Sequence, residues 1–309
     1  MELLCSLNSL TYVNDYQALD VGLIVGNDEI SSRHALSISF ETMEKLSQSF
    51  KVFVLMNQLY DQKDLELVKQ WLSDIKNSQI YGIIFQDFGL LNMAKEMGLK
   101  QEMMYMPETL NTNGATLNDF KTMGIDSSFL AREISLEDVV KIAQKTEMPL
   151  MVQIHGVMYM AQSRRQLLSN YARENGLDLT EDIYTLKVKD NDLEAWIFED
   201  RFGTNIVSKS ELVALDYLGS LDLEMIRYGF VDCFKMDAYR ALEVVNLYQE
   251  AIQAVGDGTF TKHHQALRGM LANLMGDVEK TDGFYQDRTV YKLDDVRVMD
   301  DEKRNQSNH

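Results

Sequence analysis

Eight short apolar runs, each separated from the next by residues with other patterning, constrain this chain more than any other feature. They are ELLCSL (2–7), VGLIVG (21–26), KVFVLMN (51–57), YGIIFQD (81–87), EMMYMPE (102–108), SSFLARE (127–133), LMVQIHG (150–156) and DCFKMD (232–237). Most are apolar on both faces, as strands are when a parallel sheet is packed inside and covered by helices outside. Amphipathic stretches such as LELVKQWLSDIKN and SLEDVVKIAQKT lie between them, the second opening on Ser135 with Glu137 and Asp138 in its first turn, a helix-start signature. Strand, helix and strand in repetition imply right-handed parallel crossovers, and eight such strands predict an α/β fold of the (β/α)8, TIM-barrel-like kind. An open doubly wound sheet is the alternative. It is disfavoured because SLNSLTYV, after the first run, holds no Gly-rich phosphate turn.

A chain of 309 residues suits one barrel domain over residues 1–285 and a charged, polar tail over 286–309 that is expected to fray. One interval breaks the rhythm. About 75 residues separate the seventh run from the eighth, and TLKVKDNDLEAWIFEDRFGTNIVS within them alternates like a β-hairpin turning near KDND. This predicts an insertion of hairpin plus helices over about 157–230, above the face where barrel enzymes build their sites.

The C-terminal ends of barrel strands point to that face, so their polar residues are the candidate site. They are Asn57, Asp87, Glu108 with Asn111 and Asn113, Arg132 with Glu133, His155, and Lys235 with Asp237. Each has a plainer reading. Asn57 and Asp87 could cap helices or make Asx-turns, Arg132 and Glu133 could form a buried ion pair, and His155 could be a hydrogen-bonded core histidine. Arg164 and Arg165 could be a solvated helix face. Lys235, on an otherwise apolar run, calls for a partner or a ligand anion. The catalytic candidates are His155, Glu133 and Lys235; Asn57, Asp87, Glu108, Asn111, Asn113, Arg132, Arg165 and Asp237 are candidates for substrate binding.

Several chemistries lack their residues. There is no His-Glu-x-x-His pair, no Gly-x-Ser-x-Gly elbow and no Walker loop. Cys5 and Cys233 are too few for a disulfide framework or a four-thiolate cluster, so no metal site is expected. A net charge of −18 opposes a wide grip on nucleic acid by this chain alone. No apolar run reaches membrane-spanning length and MELLCSLNSL is unlike a signal peptide, so a cytoplasmic protein is expected.

The segment HGVMYMAQSRRQLLSNY (155–171) resembles the signature of the U32 family, the collagenase-like peptidases, a group that also holds bacterial tRNA hydroxylation proteins and ubiquinone-biosynthesis hydroxylation factors. That signature runs approximately H-G-A-L-C-x-x-x-S-G-R-C-L-L-S-N, and His155, Gly156, Ser163, Arg165, Leu167, Leu168, Ser169 and Asn170 match it. FLAREIS (129–135), ETLNTN (108–113) and KMDAYR (235–240) resemble further family elements, so the likeness spans about residues 2 to 285. It implies a TIM-barrel-like domain, in agreement with the strand count.

The departures matter as much. The two signature cysteines, which ligate an iron–sulfur centre in cluster-bearing members, are here Tyr159 and Gln166. The resemblance therefore implies a chain that binds no cluster itself and works with a cysteine-bearing U32 paralogue that does. It further implies a subunit of a tRNA wobble-uridine 5-hydroxylation system, with prephenate as hydroxyl donor and tRNA bound through the complex. For such a dicarboxylate, Arg132, Arg165 and Lys235 are the candidate cations. The alternatives are a collagenase-like peptidase, with His155 as base and Glu133 as its orienter, and a non-catalytic scaffold subunit. The peptidase reading lacks an identifiable nucleophile.

Overall fold

Seven of the eight expected strands form where the apolar runs stand. The structure, a computed structural model, describes residues 1–109, 111–187, 194–221 and 225–286. The chain alternates β1 (Glu2–Ser6), α1 (Val13–Gln17), β2 (Gly22–Val25), α2 (Phe40–Ser47), β3 (Val52–Met56), α3 (Leu65–Lys76), β4 (Gly82–Phe85), α4 (Phe88–Met97), β5 (Glu102–Tyr105), α5 (Gly114–Thr122), β6 (Ser127–Phe129), α6 (Leu136–Ala143) and β7 (Leu150–Ser163). There follow α7 (Leu167–Asn175), β8 (Tyr184–Lys187), β9 (Glu194–Asp200), β10 (Gly203–Val213), a 3-10 turn (Leu215–Ser220), β11 (Tyr228–Asp232), α8 (Ala238–Gly256), α9 (Phe260–Met275) and β12 (Lys280–Thr281).

Strands β1 to β7 pair in parallel in sequence order, and β11 pairs in parallel with both β7 and β1, which closes an eight-stranded barrel. The inward side chains, among them Leu4, Ile24, Phe53, Ile84, Met104, Phe129, Met151 and Phe230, form one apolar cluster. The outward ones, such as Leu23, Val54, Ile83 and Val152, join the helices in a second, larger cluster. That two-sided burial is why the strands read as continuous apolar runs rather than as alternation. Helix starts follow their capping signals. Asp87, Asn113, Ser135 and Asp237 cap α4, α5, α6 and α8 with side-chain acceptors for backbone N–H groups.

The eighth strand lies earlier than the sequence suggested. Tyr228–Asp232 forms it, and 233–237 is the turn that follows. Cys233 and Met236 are buried in that turn, so the apolar pattern continues beyond the last strand residue. The insertion is built mainly of sheet. β7 overruns the barrel rim and pairs antiparallel with β10, β10 with β9, and β9 with β8. The hairpin turn expected near KDND falls in residues 188–193, and the tail beyond 286, expected to fray, also lies outside the described residues.

At the N-terminal end, the Glu102 carboxylate accepts hydrogen bonds from Tyr228 Oη (3.0 and 3.1 Å) and Ser127 Oγ (2.6 Å), which plugs the barrel there. The opposite end carries the sheet extension. Among the described residues no helix is long and apolar enough to cross a membrane.

Candidate functional site

A cavity of about 50 Å³ lies at the C-terminal end of the barrel, under the sheet extension. Barrel strands supply Ser6, Ile24, Leu55, Ile84, Phe230 and Asp232; the loops supply Arg33, His34, Asn57, Met106, Glu108 and Arg132; β7 and β10 add Val157, Tyr159 and Val207 from above. That volume holds a few water-sized groups.

Its polar centre is a carboxylate between two guanidiniums. Arg33 Nη2 donates to Glu108 Oε1 at 2.7 Å and Arg132 Nη1 to Oε2 at 2.6 Å. The side chains are 7%, 8% and 4% exposed for Arg33, Arg132 and Glu108, so the three charges are out of water. Burial alone would raise the pKa of Glu108; the charges and hydrogen bonds of Arg132 and Arg33 outweigh it and hold the carboxyl below its usual range.

The surroundings fix this triad. Arg132 Nε donates to Gln153 Oε1 (2.5 Å), and its guanidinium sits 4.4 Å from the Phe129 ring centroid. Arg33 Nη1 donates to Asn205 Oδ1 (3.0 Å), and its guanidinium stacks 4.8 Å from the centroid of Tyr159. Asn57 holds the Arg33 loop, accepting from Ser32 N (2.9 Å) and donating to Ser32 O (3.0 Å). Among the described residues four non-glycines have left-handed φ, and two of them are Arg33 (53°) and Glu108 (70°). Strain of this kind persists where surrounding structure overdetermines it, as it does here.

Two guanidiniums face one carboxylate, so the triad by itself carries an excess positive charge, which the Asp232 carboxylate in the same cavity offsets where it is ionised. Asp232 Oδ1 accepts from Ser6 Oγ (2.9 Å) and Phe234 N (3.1 Å), while burial pushes the Asp232 pKa up from 3.8 to about 6. A carboxyl with a raised folded value favours folding below pH 4, and that contribution is lost as pH rises through 6. Asp232→Asn removes a buried charge that costs at most about 3 kcal/mol above that window. The variant is expected to melt higher than the wild type at pH 8 and at the same temperature at pH 4. A difference independent of pH, followed by calorimetry, would contradict this account of Asp232.

The other sequence candidates separate into two sets. Asn57, Glu108 and Arg132 meet at the cavity. Asp87 caps α4 through Gly89 N (2.7 Å) and accepts from Tyr60 N (3.0 Å); Asn113 caps α5; Asp237 caps α8 through Arg240 N (2.9 Å). Asn111 is buried beside the site, donating to Ser128 Oγ and Phe129 O at 2.7 Å each. Glu133 is half-buried and Arg132 takes Glu108 rather than Glu133 as its ion-pair partner. Arg165 is exposed on the loop before α7. Lys235 does not sit on a strand but is exposed in the turn after β11, with φ 64°.

His155 faces away from the cavity. Met151 and Gln153 point inward, but the register slips between β7 and β11 at this point, and both Ile154 and His155 turn outward. The imidazole is buried against α8, with Nδ1 3.2 Å from Tyr248 Oη and Nε2 3.4 Å from Glu211 Oε2. Glu211 in turn binds Arg240. Burial outweighs the Glu211 charge and keeps the His155 pKa below its ordinary value. His155 therefore joins β7, β10 and α8, and its carboxylate neighbour is Glu211 rather than Glu133.

The residues present do not fit an iron–sulfur cluster. Tyr159 offers a phenol stacked on Arg33, and the amide of Gln166 donates to Asp200 O (2.8 Å). Cys5 and Cys233 are buried in the barrel wall beside each other, where the neighbouring thiol and burial push the Cys233 pKa well up. Thiolates are the usual donors for such clusters, and two buried cysteines are not a set. Among the described residues no group of three or more His, Cys, Asp or Glu side chains could hold a metal ion.

Sequence reading missed Arg33, Asn205 and Asp232. Arg33 stands in SSRH on the loop after β2, a loop absent from the strand-end list, and its left-handed backbone leaves no mark in composition. Asn205 arrives from the insertion, 172 residues away along the chain.

The model of peptidase family U32 matches residues 6–294. The chain is 29% identical over 252 residues to tRNA hydroxylation protein P2 of Bacillus subtilis (strain 168), covering 76% of this chain and 80% of that one. It is 25% identical over 289 residues to an uncharacterized protease of Methanocaldococcus jannaschii, covering 84% of this chain and 67% of that one. With tRNA hydroxylation protein P1 of Bacillus subtilis it shares 24% identity over 121 residues, covering 39% of this chain and 29% of that one.

Proposed function

Because the chain belongs to peptidase family U32, we propose that it acts in tRNA hydroxylation, as the cluster-less subunit of a system that 5-hydroxylates wobble uridines. The observation that carries this reading is the mouth cavity, where the guanidiniums of Arg33 and Arg132 stand buried beside the Glu108 and Asp232 carboxylates. Two buried guanidiniums suit a small carboxylate ligand, because each planar fork can turn donors to a second acceptor. Prephenate, a dicarboxylate, is the proposed hydroxyl donor, and a cavity of about 50 Å³ matches one of its carboxylates rather than the whole molecule. Arg33 and Arg132 take the role expected of Arg132, Arg165 and Lys235, since Arg165 and Lys235 are exposed away from the buried triad.

Any iron–sulfur chemistry in the reaction belongs to a cysteine-bearing U32 paralogue, because the donors here do not fit a cluster. That two relatives from one organism carry the names P1 and P2 supports a pairing of paralogues. The net charge of −18 supports a partner that provides most of the tRNA-binding surface. The peptidase reading gains nothing from the geometry. His155, its expected base, lies outside the cavity.

Titration calorimetry with prephenate tests the ligand. Arg132→Met leaves Arg33 and Glu108 as a neutral pair, so the barrel is expected to stay folded while affinity falls about tenfold or more, the loss of a charged hydrogen bond. No binding to the folded wild type would overturn the reading.

A further inference from the structure

The loop after β1 and the turn after β11 meet at the C-terminal end of the barrel. Asn8 Nδ2 donates to Met236 O (2.8 Å), and the Tyr12 and Tyr239 rings meet edge to face with centroids 6.2 Å apart. These two segments hold apolar and aromatic side chains in water: Leu10 is 44% exposed and Tyr239 56%. Lys235 stands exposed in the same turn. The rim so formed adjoins the cavity, because Ser6 and Asp232, the last residues of the two strands, line it together with Phe234.

Lys235 has a φ of 64°, a conformation that glycine adopts freely and a lysine only with strain. Among the described residues it forms no ion pair, and its Nζ lies 5.9 Å from the Phe234 ring centroid. The acid two residues on, Asp237, is turned to α8, where its carboxylate accepts from Arg240 N (2.9 Å). A turn alone would be served better by glycine. What the lysine adds is an unpaired cation, four residues before an exposed ring and next to the cavity wall.

An exposed ring and an unpaired cation are the elements that grip single-stranded RNA, where a base stacks on the ring and a phosphate meets the cation. The net charge of −18 opposes a wide grip on phosphates, but stacking needs none. Leu10 and Tyr239 are too few to form the buried core of a protein interface, which takes some 20–30 residues a side.

We infer that Tyr239 and Lys235 are this chain's own contact with the single-stranded loop of its RNA substrate, the ring stacking on a base and the ammonium pairing with a phosphate. This rests on the tRNA-hydroxylation reading, and it gives the chain a share of a surface that a partner otherwise supplies.

Fluorescence anisotropy of a labelled anticodon stem-loop with an unmodified wobble uridine, titrated with the purified full chain, tests it. Tyr239→Ala, in an exposed helix position where alanine is favoured, is expected to keep the fold and weaken binding about tenfold, the loss of one stacked base. Lys235→Gly relieves the left-handed strain, so it should melt no lower than the wild type. It should nonetheless bind about threefold more weakly, with a slope of log K against log salt shallower by about 0.7. A turn residue of purely structural use would show neither loss. Wild-type affinity and salt slope in both variants would overturn the assignment, as would no binding by the wild type, and a loss in one variant alone would overturn the other residue's part. None of these results decides the tRNA-hydroxylation reading, which stands or falls separately on the wobble nucleosides of a strain that lacks the gene.

Discussion

Glu108→Gln is expected to destabilise the protein by about 3–5 kcal/mol, the cost of stranding buried charge without its partner. The substitution is nearly isosteric, so packing is unchanged and the effect is electrostatic. Two guanidiniums, each less than a tenth exposed, would face each other across a neutral amide. Arg132→Met should cost less, because it leaves one cation with one anion. The sign of the pH dependence also follows. Glu108 is held below its ordinary value of 4.5, so its contribution is present above that pH and fades as acid takes the carboxyl through its lowered folded value. The gap between wild type and Glu108→Gln in urea unfolding should therefore be widest at neutral pH and shrink on acidification. A gap below about 1 kcal/mol at pH 7 would mean that the two arginines are solvated and the triad is not the buried unit described.

Gly156→Ala is the second large effect. Gly156 pairs with Asp232 where β11 closes the barrel against β7, and its φ of 101° is one that side chains rarely tolerate. A Cβ there would stand 2.0 Å from the Asp232 carbonyl oxygen and 2.9 Å from its carbonyl carbon. Neither neighbour is a flexible side-chain end, so strands must part. The expected loss exceeds about 3 kcal/mol, from backbone strain and overpacking together. Because Asp232 lines the cavity, binding of the proposed prephenate ligand should fall with it. Gly176→Ala is the control, a left-handed helix cap at 63° with nothing within 4 Å of the added carbon. There the cost should be near 1 kcal/mol, and equal losses at the two positions, read from urea midpoints, would contradict the steric account.

The fold was legible because barrel strands buried on both faces keep an unbroken apolar signal, and because Ser135 and Asp87 mark where helices begin, whereas Asn113, read as a binding residue, proved to be a third cap. The eighth strand shifted because Cys233 and Met236 are buried without being in a strand, whereas Gly229 weakens the apolar run that is one. Within the site, Asn57, Glu108 and Arg132 were legible as polar ends of apolar strands. Lys235 and His155 misled for the same physical reason: a single irregular residue redirects a side chain. A left-handed turn carries Lys235 into solvent, and a slip in register turns His155 toward α8. Long-range pairing hid the rest. Asn205 and Asp200 reach the Arg33 loop only because β9 and β10 stand over the barrel mouth.

We place the proposed role of this chain in tRNA hydroxylation at the Arg33–Glu108–Arg132 cavity. Mass spectrometry of wobble nucleosides tests it most directly, in a strain deleted for this gene and for every parallel hydroxylation route, complemented with wild type or with Arg132→Met at matched protein levels. Wild type is expected to restore 5-hydroxyuridine-derived nucleosides and Arg132→Met is not. Full modification without the gene, or full restoration by Arg132→Met, would contradict it.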